Sequence, residues 1–127
     1  MATDPIPDDV QKQLAQFEQL RQQAQVLAQQ QQQVELAMRE ADRTLEELNG
    51  VAKDTPLYRA SGAIMVRVDD LAKLKRDLKD EQETLELRTK TLKSQIDKLE
   101  AQLQEMQTRL TPVLQRLQGP GGLGVGS

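Results

Sequence analysis

The fold of this chain is decided in its middle, by the stretch Pro56-Leu-Tyr-Arg-Ala-Ser-Gly-Ala-Ile-Met-Val-Arg-Val68. Ile64, Val66 and Val68 recur at every second position, which is the spacing of one face of a β-strand. Gly62 stands where a tight reversal of the chain needs a residue that tolerates positive φ. The stretch therefore predicts a β-hairpin over residues 57–68. An irregular loop is the alternative, because short strand signals are weak.

The residues before this stretch carry the heptad pattern of a coiled coil. Two sets of positions alternate three and four residues apart, and ten of the twelve residues are apolar. The pattern predicts a helix over residues 8–49, which ends at the common stop pair Asn49-Gly50. Gln31 is then a polar residue inside the seam. The two sets are Val10, Phe17, Ala24, Gln31, Met38 and Leu45, and Gln13, Leu20, Leu27, Val34, Ala41 and Leu48.

A second heptad pattern predicts another helix over residues 69–110, capped by Asp69-Asp70. Between Arg88 and Leu99 the spacing is four, four and three, which predicts a stutter in the coiled coil. Pro112 removes one backbone donor, so we expect the helix either to end near Leu110 or to continue, kinked, to residue 118. Residues 119–127 have the composition of a flexible linker. The expected seam is Leu71, Leu74, Leu78, Glu81, Leu85, Arg88, Leu92, Ile96, Leu99, Leu103, Met106 and Leu110.

Two helices of similar length joined by a reversal predict one mostly α domain over residues 1–127, a long antiparallel helical hairpin with a β-hairpin inserted. An isolated two-stranded hairpin is marginally stable in water and leaves its edges unpaired. We therefore expect hairpins of several chains to pair into an oligomeric β-barrel. The residues expected at this interface are Leu57, Tyr58, Gly62, Ile64, Met65, Val66 and Val68.

The composition excludes several classes of function. Aromatic residues make up 2% of the 127 residues and charged residues 29%, which is typical of a coiled coil rather than a compact globule. The chain has no cysteine and no histidine, so it lacks disulfides, thiolate metal sites and the commonest general base. We expect no enzyme, no cofactor and no metal site. No apolar run approaches the ~18 residues of a membrane span and no signal-peptide pattern is present, so we expect a soluble, cytoplasmic protein without a membrane partner.

The charge pattern does not favour a nucleic-acid partner. The net charge is −3, and the basic residues of the second half are interleaved with acidic ones along a helix. Such a pattern is typical of a solvated face rather than a phosphate-binding patch.

Four segments together resemble the β subunit of archaeal prefoldin. Leu57-Tyr58-Arg59 enters the turn and Gly62-Ala-Ile-Met-Val-Arg67 leaves it. Glu46-Glu47-Leu48 ends the first helix, and Thr84-Leu-Glu-Leu-Arg-Thr-Lys-Thr-Leu-Lys-Ser-Gln95 lies in the second. The resemblance extends over residues 8–118. Ser61 departs from it, because the family usually has an apolar residue before the glycine. A single hairpin favours the β type, since the α type carries two.

The resemblance implies a hexamer of two α-type and four β-type subunits, in which the hairpins form a double β-barrel body and six coiled coils project from it. It implies an ATP-independent holdase that captures unfolded polypeptides at the coiled-coil tips and delivers them to a group II chaperonin. The implied partners are α-type subunits, other copies of this chain, unfolded clients and the chaperonin. The sequence is consistent with a function that does not use ATP, since it has no Gly-rich phosphate loop and no Walker-type lysine.

In the helical-hairpin arrangement, a set of apolar residues falls at the end far from the β-hairpin, where clients would bind. Leu14 lies off the expected seam, and Val113 with Leu114 exceeds what a two-helix seam can hide. Pro112 would loosen this end and expose apolar side chains on adaptable backbone. Ordinary seam packing with frayed ends is the alternative, above all for Val10, Phe17 and Met106. The set is Ile6, Val10, Leu14, Phe17, Met106, Leu110, Val113, Leu114 and Leu117.

A structural coiled-coil scaffold or spacer protein is the alternative function. Such a protein would dimerise through its seams, which explains the heptads but leaves the β-hairpin without a role.

Overall fold

The computed structural model describes residues 6–118, and the predicted linker over residues 119–127 lies outside them. It contains α1 (Asp8–Asn49), β1 (Leu57–Ser61), β2 (Ile64–Val68) and α2 (Leu71–Gln118). The prediction of a mostly helical chain with one β-hairpin between two long helices is confirmed. The residues of the chain form two compact units, and each unit contains parts of both helices. We call Met1–Gln29 with Leu92–Ser127 the terminal unit, and Gln30–Thr91 the central unit.

The β-hairpin of the central unit has a two-residue turn. β1 and β2 pair antiparallel, and the register runs from Leu57 opposite Val68 to Ser61 opposite Ile64. Gly62 has a φ of 61°, whereas the φ of Ala63 is not positive. These angles match the first and second central residues of a type II′ turn, whose twist suits the twist of the flanking strands. The prediction that Gly62 makes the reversal is therefore confirmed.

Local capping determines where the helices meet the hairpin. The Asp70 carboxylate oxygen Oδ1 accepts a hydrogen bond from the Lys73 backbone N–H at 3.0 Å, which satisfies one free donor of the first turn of α2. At the end of α1, the Gly50 N–H donates to the Glu47 carbonyl at 3.1 Å. Gly50 is not in the left-handed region, so α1 ends in a tight turn rather than in a left-handed cap.

The seam of α1 follows the predicted heptads with one change. Val10, Val34, Ala41 and Leu48 are buried, and the other apolar seam residues are half-buried. In the first turns the half-buried residue is Leu14, whereas Gln13 is exposed. Leu14 therefore belongs to the seam, contrary to the expectation that it lies beside it. An apolar side chain at this position is buried in preference to the amide, whose transfer from water is costly.

The stutter expected in α2 is absent. Glu81 and Arg88 are exposed, while the next residues, Gln82 and Thr89, are half-buried. With these two residues in the seam, one set of buried and half-buried positions alternates four and three apart along the whole helix. Leu74, which the heptad pattern predicts in the seam, and Leu114 are half-buried as well and lie beside this set. The set is Leu71, Lys75, Leu78, Gln82, Leu85, Thr89, Leu92, Ile96, Leu99, Leu103, Met106, Leu110, Val113 and Leu117. The seam thus contains the uncharged Gln82 and Thr89 instead of Glu81 and Arg88, because burial would remove the hydration of the charged side chains.

Pro112 does not end α2 near Leu110, because the helix continues to Gln118. A proline removes only its own donor, which leaves the carbonyl of the residue four positions earlier, Thr108, without its usual partner. In the same turns the hydroxyls of Thr108 and Thr111 donate to the carbonyls of Gln104 and Gln107 at 2.9 and 2.7 Å, a contact that often bends a helix. None of the described helices is long and apolar enough to cross a membrane.

Candidate functional site

The β-hairpin carries half of the large exposed apolar side chains among the described residues, although it is a short part of the chain. Ile64 is 63% exposed, Met65 65% and Tyr58 57%. Val66 is 47% exposed, even though strand residues of this kind usually lie against a core. Only Leu57 and Val68, at the base of the hairpin, are half-buried. Within its own chain the hairpin thus leaves its apolar side chains largely in contact with solvent.

The register assigns these side chains to two faces, because directly opposed residues of antiparallel strands share a face. One face carries Leu57 with Val68, Arg59 with Val66, and Ser61 with Ile64. The other carries Tyr58 with Arg67, and Ala60 with Met65. The prediction that Ile64, Val66 and Val68 share a face is confirmed. Both faces hold exposed apolar residues, so either one can contact another chain.

The first of these faces lies beside the start of α2. A groove of about 640 Å³ is lined by hairpin residues that include Val66 and Val68 and by Lys73, Leu74 and Asp77 of α2. The Arg59 guanidinium lies 3.5 Å from the Glu81 carboxylate and ties the hairpin to the helix. Because both side chains are about half exposed, this ion pair positions the hairpin more than it stabilises the fold.

The edges of the hairpin are open as well. The sheet of the described residues consists of β1 and β2 alone, so each strand has one edge without a neighbouring strand. The backbone N–H and C=O groups on such edges are templates for pairing with a further strand. Ser61 closes β1, and its position in the last strand pair shows that a polar residue before the glycine is compatible with the hairpin.

The predicted client-binding residues of the terminal unit are mostly covered. Val10, Met106 and Leu110 are 5–7% exposed and belong to the core. Only Ile6, which precedes α1, is clearly exposed, at 40%. The half-buried members of the set are Leu14, Phe17, Val113, Leu114 and Leu117. In the described conformation, Val10, Met106 and Leu110 therefore make ordinary seam contacts, and a client could reach them only if the helix ends separate.

A small surface pocket lies near these residues. It has a volume of about 150 Å³ and is lined by Gln13 and Gln16 of α1 and by Met106, Arg109 and Leu110 of α2. Met106 is an unbranched, adaptable side chain, and such side chains fill irregular spaces.

The electrostatics of the terminal unit include one well-formed ion pair. Arg21 donates to both carboxylate oxygens of Glu18, one turn earlier on α1, at 2.5 and 3.0 Å. The hydrogen bond from Arg21 lowers the pKa of Glu18, and the same bond raises the pKa of Arg21. The pair is exposed and belongs to a solvated helix face. Residues 6–118 contain no group of acidic residues arranged to hold a metal ion.

Three exposed apolar residues were not singled out by the heptad pattern. Val26 and Leu36 of α1 are 51% and 53% exposed, and Leu87 of α2 is 66% exposed. None of them occupies a seam position, so a pattern that scores only the seam passes over them. Their signal in the sequence is an apolar residue where the heptad calls for a polar one.

Comparison with known proteins places this geometry in a family. The prefoldin subunit family matches residues 11–116. The chain is 42% identical over 87 residues to prefoldin subunit beta of Methanothrix thermoacetophila. The matched region covers 68% of this chain and 72% of that protein. It is 43% identical over 90 residues to prefoldin subunit beta of Methanococcoides burtonii, with 68% and 74% covered.

A solved structure agrees with the sequence relatives. The crystal structure of the prefoldin beta subunit from Thermococcus strain KS-1 superposes with a TM-score of 0.72 at 34% identity. The superposition covers 87% of this chain and 96% of that one. Because sequence and fold both match over most of the chain, this chain belongs to the prefoldin subunit family, and the relatives it matches there are archaeal β subunits.

Proposed function

We propose that this chain is the β-type subunit of an ATP-independent holdase that binds unfolded polypeptides and prevents their aggregation. Membership of the prefoldin family makes it a chaperone subunit rather than an enzyme, and implies assembly with other prefoldin subunits. The observation that carries the proposal is the exposed β-hairpin, with Ile64 and Met65 more than 60% exposed. A coiled-coil spacer would have no use for this element.

The hairpin is the proposed site of assembly. Pairing of its open edges would satisfy the free backbone groups, and a neighbouring hairpin would cover Tyr58, Ile64 and Met65. We propose that the partners are α-type subunits and further copies of this chain, in a hexamer of two α-type and four β-type subunits whose hairpins form the barrel.

Client binding is assigned to the helix ends of the terminal unit. Ile6 is exposed, and five further apolar side chains there are half-buried, so a modest separation of the two ends would uncover an apolar surface. Such a surface suits weak binding of many unfolded sequences. From there the client would pass to a group II chaperonin, in a step that needs no nucleotide.

The test is to mix this chain with an α-type prefoldin subunit and to measure the mass of the complex and its effect on a denatured protein. We expect a hexamer of two and four subunits that suppresses light scattering by the denatured protein without ATP. A chain that remains alone in the presence of the α-type subunit would contradict the assembly proposal. A hexamer that leaves the scattering unchanged would contradict the holdase proposal.

A further inference from the structure

We propose that a groove in the terminal unit, lined by glutamines of both helices, binds an extended segment of an unfolded polypeptide. We call it the glutamine groove. The inference rests on the proposed holdase function and deepens it, because it assigns client contact to residues outside the predicted set at the helix ends.

The glutamine groove has an apolar floor and a polar rim made mainly of uncharged amides. It is a shallow groove of about 680 Å³ on the surface of the two helices. Val26, Leu27 and Leu99 supply the apolar side chains, and Val26 remains 51% exposed. The polar lining consists of Gln19, Gln22, Gln23, Gln95 and Gln102, with Lys98 as its one charged residue.

This lining complements an unfolded backbone. An extended polypeptide presents unpaired N–H and C=O groups, together with apolar side chains that a folded protein would bury. The amide of glutamine donates and accepts hydrogen bonds, and its long side chain can turn to suit either need. The floor at Val26 and Leu99 can cover part of an apolar client side chain and remove its surface from water. The groove thus recognises features that unfolded chains share and demands no particular sequence.

A second groove in the central unit shows that this lining is not a general consequence of the coiled coil. It has a similar volume, about 560 Å³, and is likewise lined by both helices. Its rim, however, carries the carboxylates of Glu40, Asp77, Asp80 and Glu81. Ionised carboxylates accept hydrogen bonds but cannot donate them, and covering them removes their hydration at a large cost. The two grooves therefore differ in chemistry, and only the glutamine groove suits a neutral backbone.

The surface around the glutamine groove argues against a helix as its occupant. A docked helix needs apolar anchors repeated along the groove at helical spacing. Among the described helical residues of the terminal unit, Val26 is the one large apolar side chain that is clearly exposed. One apolar anchor among amides fits an extended segment that contributes a side chain and a stretch of backbone. An unfolded polypeptide is therefore the occupant that the lining selects.

The test replaces amides by carboxylates of the same shape in the full chain assembled with an α-type subunit. The variant carries Gln22→Glu and Gln95→Glu in the glutamine groove. The matched control carries Gln25→Glu and Gln104→Glu, which add the same charge to exposed positions outside it. Reduced, carboxymethylated α-lactalbumin, which cannot fold, is the probe. We expect the groove variant to bind it about tenfold more weakly, a difference of about 1.4 kcal/mol, and the control to bind as the unchanged chain does.

A photo-crosslinking side chain gives a second readout that does not depend on those variants. Placed at position 26, it should capture α-lactalbumin, whereas at position 87, which is more exposed but lies in the central unit, it should not. Equal affinities for the groove and control variants, or capture of prefoldin chains instead of the probe at position 26, would overturn the proposal. If the unchanged complex binds no α-lactalbumin at all, it is the holdase function itself that fails.

Discussion

At the scale of single residues, two positions hold the hairpin and its junction with α2 in place. Gly62 adopts a φ of 61°, a conformation that side chains other than glycine rarely take. Asp70 caps α2 directly after the hairpin. Both roles depend on one residue and a short stretch of backbone, so each can be tested by a single substitution with a near neighbour as its control.

Gly62→Ala should weaken the hairpin, because an L-residue in the left-handed region is strained by about 1 kcal/mol. Amide hydrogen exchange of the β1–β2 hydrogen bonds should become about fivefold faster. Gly50→Ala is the control, since Gly50 lacks positive φ and an added Cβ would lie 3.7 Å from the Glu47 carbonyl, an ordinary contact. If both substitutions change the exchange of the hairpin equally, the turn does not depend on the φ of Gly62.

Asp70→Ala should destabilise the chain by about 1 kcal/mol, because the Lys73 N–H loses its capping acceptor. Urea denaturation measured by circular dichroism gives the change in the free energy of unfolding. The neighbouring Asp69→Ala is the control: its carboxylate is 88% exposed and pairs only with Arg67 at 3.6 Å, so we expect a change below about 0.5 kcal/mol. A larger effect from Asp69 than from Asp70 would contradict the assigned cap.

At the scale of elements, the register of α2 depends on polar residues in its seam. The Gln82 side-chain amide donates to the Asp42 carboxylate of α1. The Thr89 hydroxyl lies 2.9 Å from the Leu85 carbonyl and 3.5 Å from the Met38 sulfur on the facing helix. These partners allow residues with modest apolar surface to enter the seam while keeping their polar atoms satisfied.

Thr89→Leu should stabilise the central unit by about 1 kcal/mol, because it adds apolar surface at a half-buried seam position. Arg88→Leu places the same side chain on the exposed face and should change the free energy of unfolding by less than about 0.5 kcal/mol. Thermal and urea unfolding of the two variants compare the two registers directly. If Arg88→Leu stabilises the chain more than Thr89→Leu does, Arg88 is the seam residue and α2 has the stutter that the apolar spacing predicts.

Ile64→Asp or Val66→Asp should block assembly, since a neighbouring hairpin would bury the new carboxylate without a partner. Sedimentation of a mixture with the α-type subunit should show at least about tenfold less hexamer, which corresponds to about 1.4 kcal/mol of lost interaction. Leu87→Asp is the matched control, because Leu87 is as exposed as Ile64 but lies on α2. Hexamers that form normally from the Ile64→Asp chain would exclude the hairpin from the interface.

At the scale of the whole molecule, the two proposed activities belong to different units. The hairpin for assembly lies in the central unit, whereas Ile6, the half-buried helix ends and the glutamine groove lie in the terminal unit. Variants in one unit should therefore leave the activity of the other intact. Hexamer formation by a variant chain is therefore the control in every test of client binding, because it shows that the central unit is intact.

Removal of residues 1–9 and 111–127 should leave the hexamer intact and weaken client binding about tenfold, which corresponds to the loss of about one large apolar contact. The deletion removes Ile6 and the half-buried Val113, Leu114 and Leu117. Suppression of light scattering and affinity for α-lactalbumin measure the effect. A chain that lacks only residues 119–127 separates the contribution of the helix from that of the last nine residues. Undiminished holdase activity in the larger deletion would exclude the helix ends as the client surface.

Much of the fold could be predicted because its determinants are local. The alternation around Ile64, the glycine at the turn and the heptads on either side fall within short stretches of sequence, and each specifies its own element. The exposed face of the hairpin could be predicted for the same reason. The client-binding set could be predicted only as a group of apolar residues, since the heptad pattern does not tell a covered side chain from an open one.

The sequence by itself therefore determined the two helices, the hairpin and its turn, because backbone preference and apolar periodicity act over a few residues. Only the tertiary structure decided that Gln82 and Thr89 enter the seam in place of Glu81 and Arg88, and that Val10, Met106 and Leu110 are buried. It also decided that glutamines of α1 and α2 line one groove. These outcomes depend on which side chains the facing helix presents, since a polar residue is buried only where a partner from elsewhere in the chain satisfies it.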